Sequence, residues 1–319
     1  MSLDLATIRR AHAQIGPFLH RTPVLTSSRL SELAGAPVWF KCENFQKTGS
    51  FKARGATHAV FTLSTEAAAS GVVTHSSGNH GAAVARAARL RNIPAFVVMP
   101  ENSSKVKIAA TEGYGAKITF CAPNGAAREA ACHRVMRDTG AALVHPFADE
   151  QVIAGQGTAV LELFEDFPAI DTILCPVGGG GLLSGTAIVA KSIRFSIRVL
   201  GTEPIGADDA ARSLAAGHRV ELDHPTTIAD GLRATIGEPN FQIIRQHVDG
   251  IVTVSEASIV AAMRLIWETL KIVVEPSAAV PFAGLLERKI VLTSSNKVGV
   301  ILTGGNIDLD ALPWTHRDR

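Results

Sequence analysis

An α/β fold with buried parallel sheets is predicted for this 319-residue chain from three observations. Short β-branched apolar runs recur almost from end to end. Alanine-rich stretches of helical pattern separate them, long enough to serve as the crossovers that parallel neighbours require. Glycine-rich turns sit at the ends of several runs, where open α/β sheets bind ligands. In chain order, residues 72–74, 95–99, 117–120, 173–177, 197–200 and 298–302 read as strands. Residues 82–90 follow the first as a helix, 106–112 the second and 126–138 the third. Ser103-Ser104, before Lys105, and Asn124 are placed to cap two of them. Farther on, 181–193, 255–270 and 277–287 read as covering helices.

The length permits one large unit or two domains of roughly 150 residues. No repeat, low-complexity tract or polar linker separates domains, so any junction is a short crossing. Pro146 with residues 148–150 marks one, and the stretch before Val72 the other. Residues 71–148 are then a small domain, and 1–70 with 149–319 a discontinuous large one.

With 46% apolar residues and 19% charged, the chain buries a core without staples. Its 31 basic and 29 acidic side chains leave +2, no footprint for nucleic acid or an anionic membrane. No apolar run approaches the roughly 18 residues of a spanning helix. The start, MSLDLATIRR, lacks the apolar core of a signal peptide. Cys42, Cys121, Cys132 and Cys175 show neither CxxC pairing nor metal spacing with His. A soluble, cytoplasmic protein with reduced thiols is expected.

The 28 glycines, about 9% against a usual 7%, are clustered. The strongest cluster is Pro176-Val177-Gly178-Gly179-Gly180-Gly181-Leu182, running from strand into helix. Successive backbone N–H groups there converge on an anion, with a helix N-terminus behind them. A plain strand–helix turn rarely needs more than one or two glycines. No Lys-Ser/Thr follows, so the run is not a Walker A loop. It fits GxGxxG badly, because Leu183 stands where the third glycine belongs. A small phosphate ester is thus favoured over a nicotinamide dinucleotide.

A second cluster, Lys47-Thr48-Gly49-Ser50-Phe51-Lys52-Ala53-Arg54-Gly55, sets Lys52 among small residues at a helix start. Positive potential there would lower an ammonium pKa and favour a nucleophile or base, although most lysines are solvated surface charges. The third, His75-Ser76-Ser77-Gly78-Asn79-His80-Gly81, offers hydroxyl, amide and backbone donors suited to a carboxylate. Alone it reads equally as a capped turn.

Together with Thr303-Gly304-Gly305-Asn306, these motifs make the chain resemble the fold type II pyridoxal-phosphate enzymes over essentially its whole length. More narrowly, it resembles the group of serine racemases, serine/threonine dehydratases and 3-hydroxyaspartate ammonia-lyases, without the regulatory domain of the long threonine dehydratases. The resemblance implies two open parallel-sheet α/β domains like those of the tryptophan synthase β subunit, with the cofactor in the cleft between them. It implies that Lys52 bonds covalently to pyridoxal phosphate, that Phe51 lies against its ring, and that Asn79 hydrogen-bonds its phenolic oxygen. Gly178, Gly179, Gly180, Gly181 and Leu182 would hold the phosphate, and the Thr303 hydroxyl would face the pyridine nitrogen.

By the same likeness, Ser76, Ser77 and His80 bind the substrate α-carboxylate. Lys52 takes the α-proton, and elimination yields a 2-oxo acid and ammonia. Serine racemases and hydroxyaspartate lyases share the Ser76-Ser77 pair, so Ser77 is a second base that would racemise the α-carbon; a helix-capping serine is the plain alternative. His80, where cysteine synthases usually have Thr, argues against β-replacement. His75, Arg128, His145 and Arg233 would gather near the β-substituent, cations suited to 3-hydroxyaspartate although several also occur in serine racemases. Arg233 reads equally as a surface residue. The implied substrate is 3-hydroxyaspartate or L-serine, with L-threonine a further candidate. Tyr114 would fall near the cofactor by the same likeness, with plain packing as the alternative. Glu203, Asp209 and the carbonyl of Ala207 match a divalent-cation site, hard oxygen ligands selecting Mg²⁺, Ca²⁺ or Mn²⁺. Homodimers are common among such enzymes. An NAD-dependent dehydrogenase and a non-catalytic amino-acid sensor are the readings from other classes.

Overall fold

The computed structural model describes residues 3–76, 78–222 and 224–315. The chain opens with α1 (Leu5–Ile15), β1 (Val24–Thr26), α2 (Ser28–Ala34), β2 (Val38–Cys42), α3 (Lys52–Thr62) and the short α4 (Thr65–Ala68). A second unit follows: β3 (Val72–His75), α5 (Asn79–Leu90), β4 (Ala95–Pro100), α6 (Lys105–Gly113), β5 (Lys117–Cys121), α7 (Gly125–Thr139) and β6 (Ala142–Leu143). The chain then returns to the first unit. It runs through α8 (Glu150–Asp166), β7 (Thr172–Pro176), α9 (Gly181–Ile193), β8 (Arg198–Pro204), α10 (Asp209–Ala216) and α11 (Glu238–His247). Last come β9 (Gly250–Val254), α12 (Glu256–Leu270), α13 (Pro276–Leu286) and β10 (Val298–Leu302).

All six predicted strands form. The larger sheet has the order β1-β2-β10-β7-β8-β9 and the smaller β5-β4-β3-β6. Every pairing is parallel except β1 with β2. That exception to the expected parallel sheets has a simple cause. Only the seven-residue α2 and its turns join the two strands, too little chain for a crossover. Central β10 is buried on both faces: Val300 and Leu302 enter one core with Phe40, Met263 and Phe282, whereas Ile301 enters the other with Ile173, Leu163 and Leu183.

Local chemistry sets the helix ends. Asn124 caps α7 by accepting from Ala127 N at 2.8 Å, and Gly140, with φ 73°, ends it in the left-handed region. Ser104 stands at the N-cap of α6 but makes no side-chain cap. The long α8 escapes a sequence reading because Gly155 and Gly157 interrupt its pattern. Both serve close helix crossings. A Cβ on Gly155 would lie 2.5 Å from Gly55 Cα on α3, and one on Gly185 of α9 2.6 Å from Ile153 O on α8. Part of the glycine excess therefore packs helices instead of lining turns. Strand β8 also runs four residues past its predicted end, through Glu203 to Pro204, all of them buried.

Candidate active site

The glycine turns at the strand ends converge on one cleft of about 1100 Å³, lined from both sheet units. Lys52 stands at its floor for identifiable reasons. Thr48 (φ 62°) and Gly49 (φ 71°) turn the chain through the left-handed region, and Ser50 bridges Gly304. Phe51 N then donates to Thr303 O at 3.0 Å. These contacts hang Lys52 and Thr303 side by side from the end of β10. The Lys52 ammonium donates to Pro146 O at 2.9 Å. Burial, more than the helix N-terminus invoked from sequence, lowers its pKa to about 8, against an upward pull from Glu275. Phe51 lines the cleft beside it.

Two helices present uncapped N-termini to this cleft. At the start of α9, Gly180 (φ 88°) provides no side-chain cap, leaving first-turn N–H groups without intrahelical partners. Gly179 O accepts from Gly237 N and Asn240 Nδ2, and a Cβ on Gly179 would strike the Phe147 ring. The loop from Gly178 to Leu182 is thus held open around its N–H groups, a donor set that fits a phosphate ester. At the start of α5, Gly78 likewise gives no side-chain cap. Ser76 Oγ accepts from Gly78 N at 3.2 Å. Ser77, the predicted second base, lies outside the described residues.

His80 offers a carboxylate less than expected. Its ring is buried, with Nε2 3.3 Å from Val144 O and Nδ1 without a partner. Burial, with help from the Lys52 charge, holds its pKa well below the usual value. A neutral ring donating from Nε2 leaves only an acceptor at Nδ1, so the donor here is the His80 backbone N–H. Asn79 is held on two sides: Nδ2 donates to Glu275 Oε1 at 2.7 Å, and Oδ1 accepts from Asn306 Nδ2 at 2.9 Å. Burial raises Glu275 to about 7, with Lys107 opposing.

The predicted cations near the β-substituent divide. His75 and His145 stack edge-to-face at 5.4 Å, and burial lowers both to about 4, so both are neutral near pH 7. The Arg233 guanidinium is engaged by Thr227 O at 3.0 and 2.6 Å. Arg128 lines the cleft from α7 and adds to the lowering of His75, so it brings permanent positive charge to that side. Tyr114 follows the packing alternative. It lines a separate hollow with Arg89 and Asn92 and packs on the alanine core of α5, not near Lys52.

Glu203 and Asp209 do meet. Glu203 accepts from Ala210 N and Ala211 N, and Asp209 Oδ2 from Ile236 N. Asp209 Oδ1 is buried without a partner, and Ala207 is buried beside them in the chain. Burial and the mutual charge of the pair push Glu203 well above the carboxylate range. Two buried carboxylates and an orphaned oxygen fit a hard divalent cation. No cluster of three or more His, Cys, Asp or Glu side chains suited to a metal occurs among the described residues.

Sequence reasoning missed Glu275, Lys107 and the pair Glu43 and Glu162, which flank Arg54 under the cleft floor. Glu275 carried a faint signal, an acid between two valines and Pro276. Lys107 carried none, since a lysine near a helix start reads as solvated.

A family model described as pyridoxal-phosphate dependent enzyme matches residues 15–304. The chain is 48% identical over 313 residues to a serine racemase of Oryza sativa subsp. indica, covering 97% of this chain and 92% of that one. It is 48% identical over 304 residues to the β-hydroxyaspartate dehydratase of Paracoccus denitrificans, covering 95% and 96%. The solved structure of maize serine racemase superposes with a TM-score of 0.94 at 47% identity, covering 96% of this chain and 94% of that one.

Proposed function

The chain belongs to the pyridoxal-phosphate-dependent enzymes, and from that premise we propose that it dehydrates a β-hydroxy-α-amino acid, releasing a 2-oxo acid and ammonia. The substrate is 3-hydroxyaspartate or L-serine, with L-threonine as a further candidate. One observation carries this reading: a lysine of lowered pKa stands in a cleft that receives two uncapped helix N-termini, one from each sheet unit. One N-terminus suits a phosphate and the other a carboxylate. The nicotinamide reading of the glycine turn is set aside with the family.

Pyridoxal phosphate, when bound, supplies a conjugated electron sink that acidifies the substrate's α-C–H. The protein does the rest. N–H groups from Gly178 to Leu182 would hold the phosphate. Thr303 would offer the ring a hydroxyl, not a carboxylate, and Asn79, oriented by Glu275 and Asn306, would hold it from another side. Backbone N–H groups of Asn79 and His80, with Ser76, seat the α-carboxylate, and neutral Lys52 Nζ takes the α-proton. Arg128 receives the second carboxylate of 3-hydroxyaspartate. Glu203, Asp209 and the Ala207 carbonyl hold a divalent cation that stabilises the fold. Residues 71–148 act as the smaller domain, and the working form is a homodimer in the cytoplasm.

A racemase reading is kept beside this one, because Ser76-Ser77 is present and serine racemases of 48% identity are among the relatives. Ser77 would then return a proton to the α-carbon.

Borohydride reduction of the yellow protein should leave the cofactor on Lys52. Oxo-acid release is then compared for serine, threonine and both 3-hydroxyaspartate diastereomers, in wild type and Arg128→Ala. Loss confined to hydroxyaspartate supports the assignment, whereas equal loss on all substrates refutes it. A protein that takes up cofactor yet releases no oxo acid from any of them overturns the lyase reading. Ser77→Ala should abolish D-isomer formation and spare L-elimination.

A further inference from the structure

Lys107 lies in the first turn of α6, in the unit of the smaller sheet, yet its charge is satisfied by the larger unit. Its Nζ is 2.5 Å from Asp230 Oδ2 and 3.6 Å from Glu275 Oε2. The side chain is 7% exposed although it lines the cleft. Its stem passes directly over Gly78, where a Cβ would overlap Lys107 Cδ. A side chain at that position, at the mouth of α5, would have to displace the lysine stem that crosses it.

Both partners lead back to the site. Glu275 Oε1 accepts from Asn79 Nδ2, so the ammonium is one carboxylate away from the side chain assigned to the cofactor's ring oxygen. Asp230 begins the turn through Leu232, which Gly231 N ties to Ser277 Oγ at 3.1 Å. Gly178 of the phosphate loop abuts that turn, its Cβ position lying 3.1 Å from Gly231 O and from Leu232 Cα. One ammonium therefore joins the carboxylate turn, the Asn79 bracket and the rim of the phosphate loop.

We propose that Lys107 is a positioning residue whose ion pairs with Asp230 and Glu275 latch the smaller unit to the larger across the cleft, holding the start of α5 at its working distance from Lys52. The inference rests on reading that cleft as the amino-acid site. Its physical basis is the cost of an unpaired buried charge. Parting the units returns the ammonium to water but leaves Glu275, 2% exposed, without its cationic neighbour. A population that is less often latched binds substrate more weakly in proportion, while the groups that move protons are untouched.

The test uses the holoenzyme and Lys107→Met, which keeps the stem and removes the charge. KM for the amino acid should rise about tenfold, with kcat falling by less than about threefold. Backbone amides of residues 78–84 and 105–111 should exchange hydrogen faster, while those of β7, β8 and β10 stay protected. Asp230→Asn should move KM the same way, and the double variant should be no worse than the worse single. Lys107→Arg should restore most of the loss. Unchanged KM and exchange in Lys107→Met overturns the latch, as does a lowered Tm with KM unmoved, or additive single effects. If Lys107→Met does not fold, Asp230→Asn decides on the same two readouts. If wild type releases no oxo acid, the functional reading fails separately, and the exchange comparison alone decides the latch.

Discussion

On the proposed function Lys52 captures pyridoxal phosphate, and its lowered pKa then sets the pH at which protein stripped of cofactor takes it up again. Only the neutral amine attacks an aldehyde. A lysine at its ordinary 10.5 is about 0.03% neutral at pH 7, whereas one at about 8 is about 9% neutral. Capture at pH 7 should therefore run about 300-fold faster than for an unperturbed amine of equal reactivity. The sign is fixed by the direction of the shift. Capture rises with pH, about tenfold per unit well below pH 8, and levels off above it. Stopped-flow mixing of stripped protein with cofactor across pH 6–10, following the visible band of the bound form, measures the midpoint. Glu275 pulls the Lys52 pKa upward, so Glu275→Gln should move the midpoint to lower pH. A midpoint near 10.5 in wild type, or an upward move in the variant, would refute the account of Lys52 as a lysine made neutral by burial.

Two further outcomes follow from buried charge. Glu162→Gln should cost about 3–5 kcal/mol in denaturant unfolding, because Lys41 and Arg54 lose a buried partner held at 2.6 and 2.8 Å. Burial alone would raise Glu162, but hydrogen bonds from His12 and Arg54 hold it well below the usual 4.5. Its stabilisation is thus complete above that pH and is lost only as pH falls through the lower native value, a component the variant should lack. At the Glu203 and Asp209 pair, Mg²⁺ or Ca²⁺ at 100 times its Kd should add about 2.7 kcal/mol of stability. Asp209→Asn should abolish the resulting rise in Tm; an equal rise in the variant places the cation elsewhere.

What the sequence makes legible is whatever one strand–turn–helix segment can carry. The strands at 72–75, 172–176 and 298–302 announce themselves by β-branched runs, and the turns after them by glycine and serine. The turn around Lys52, the glycine run before α9 and the segment Thr303-Gly304-Gly305-Asn306 stand out because each is a local motif. Elements with mixed signals escape: α8 because of its packing glycines, and the last residues of β8 because Glu203 and Pro204 read as loop. Partners that meet only after folding escape as well. Lys107 and Asp230 are 123 residues apart, and Asn79 and Glu275 are 196 apart. The predicted cation cluster shows the same limit in charge. His75 and His145 are both at the cleft, yet their neutrality follows from a desolvation that no local pattern reports.

The placement of Lys52 depends on residues that never reach the cleft. At about 100° per residue, Lys52 and Arg54 project from nearly opposite faces of the first turn of α3. Arg54 faces inward and is 1% exposed; Nε bonds Glu43 Oε2 at 2.7 Å, and Nη1 bonds Glu162 Oε1 at 2.8 Å. A planar guanidinium gripped by two carboxylates resists rotation about the helix axis as well as sliding along it. One position later, Gly55 meets Gly155 on α8, and its N donates to Gln156 Oε1 at 3.1 Å, fixing the distance between the helices. Two charges balance two, Lys41 and Arg54 against Glu43 and Glu162, so the grip carries no net buried charge toward Lys52. That balance matters for the chemistry. An uncompensated carboxylate under α3 would pull the Lys52 pKa back up, and an uncompensated guanidinium would push it further down. A neutral clamp leaves burial and Glu275 to set it.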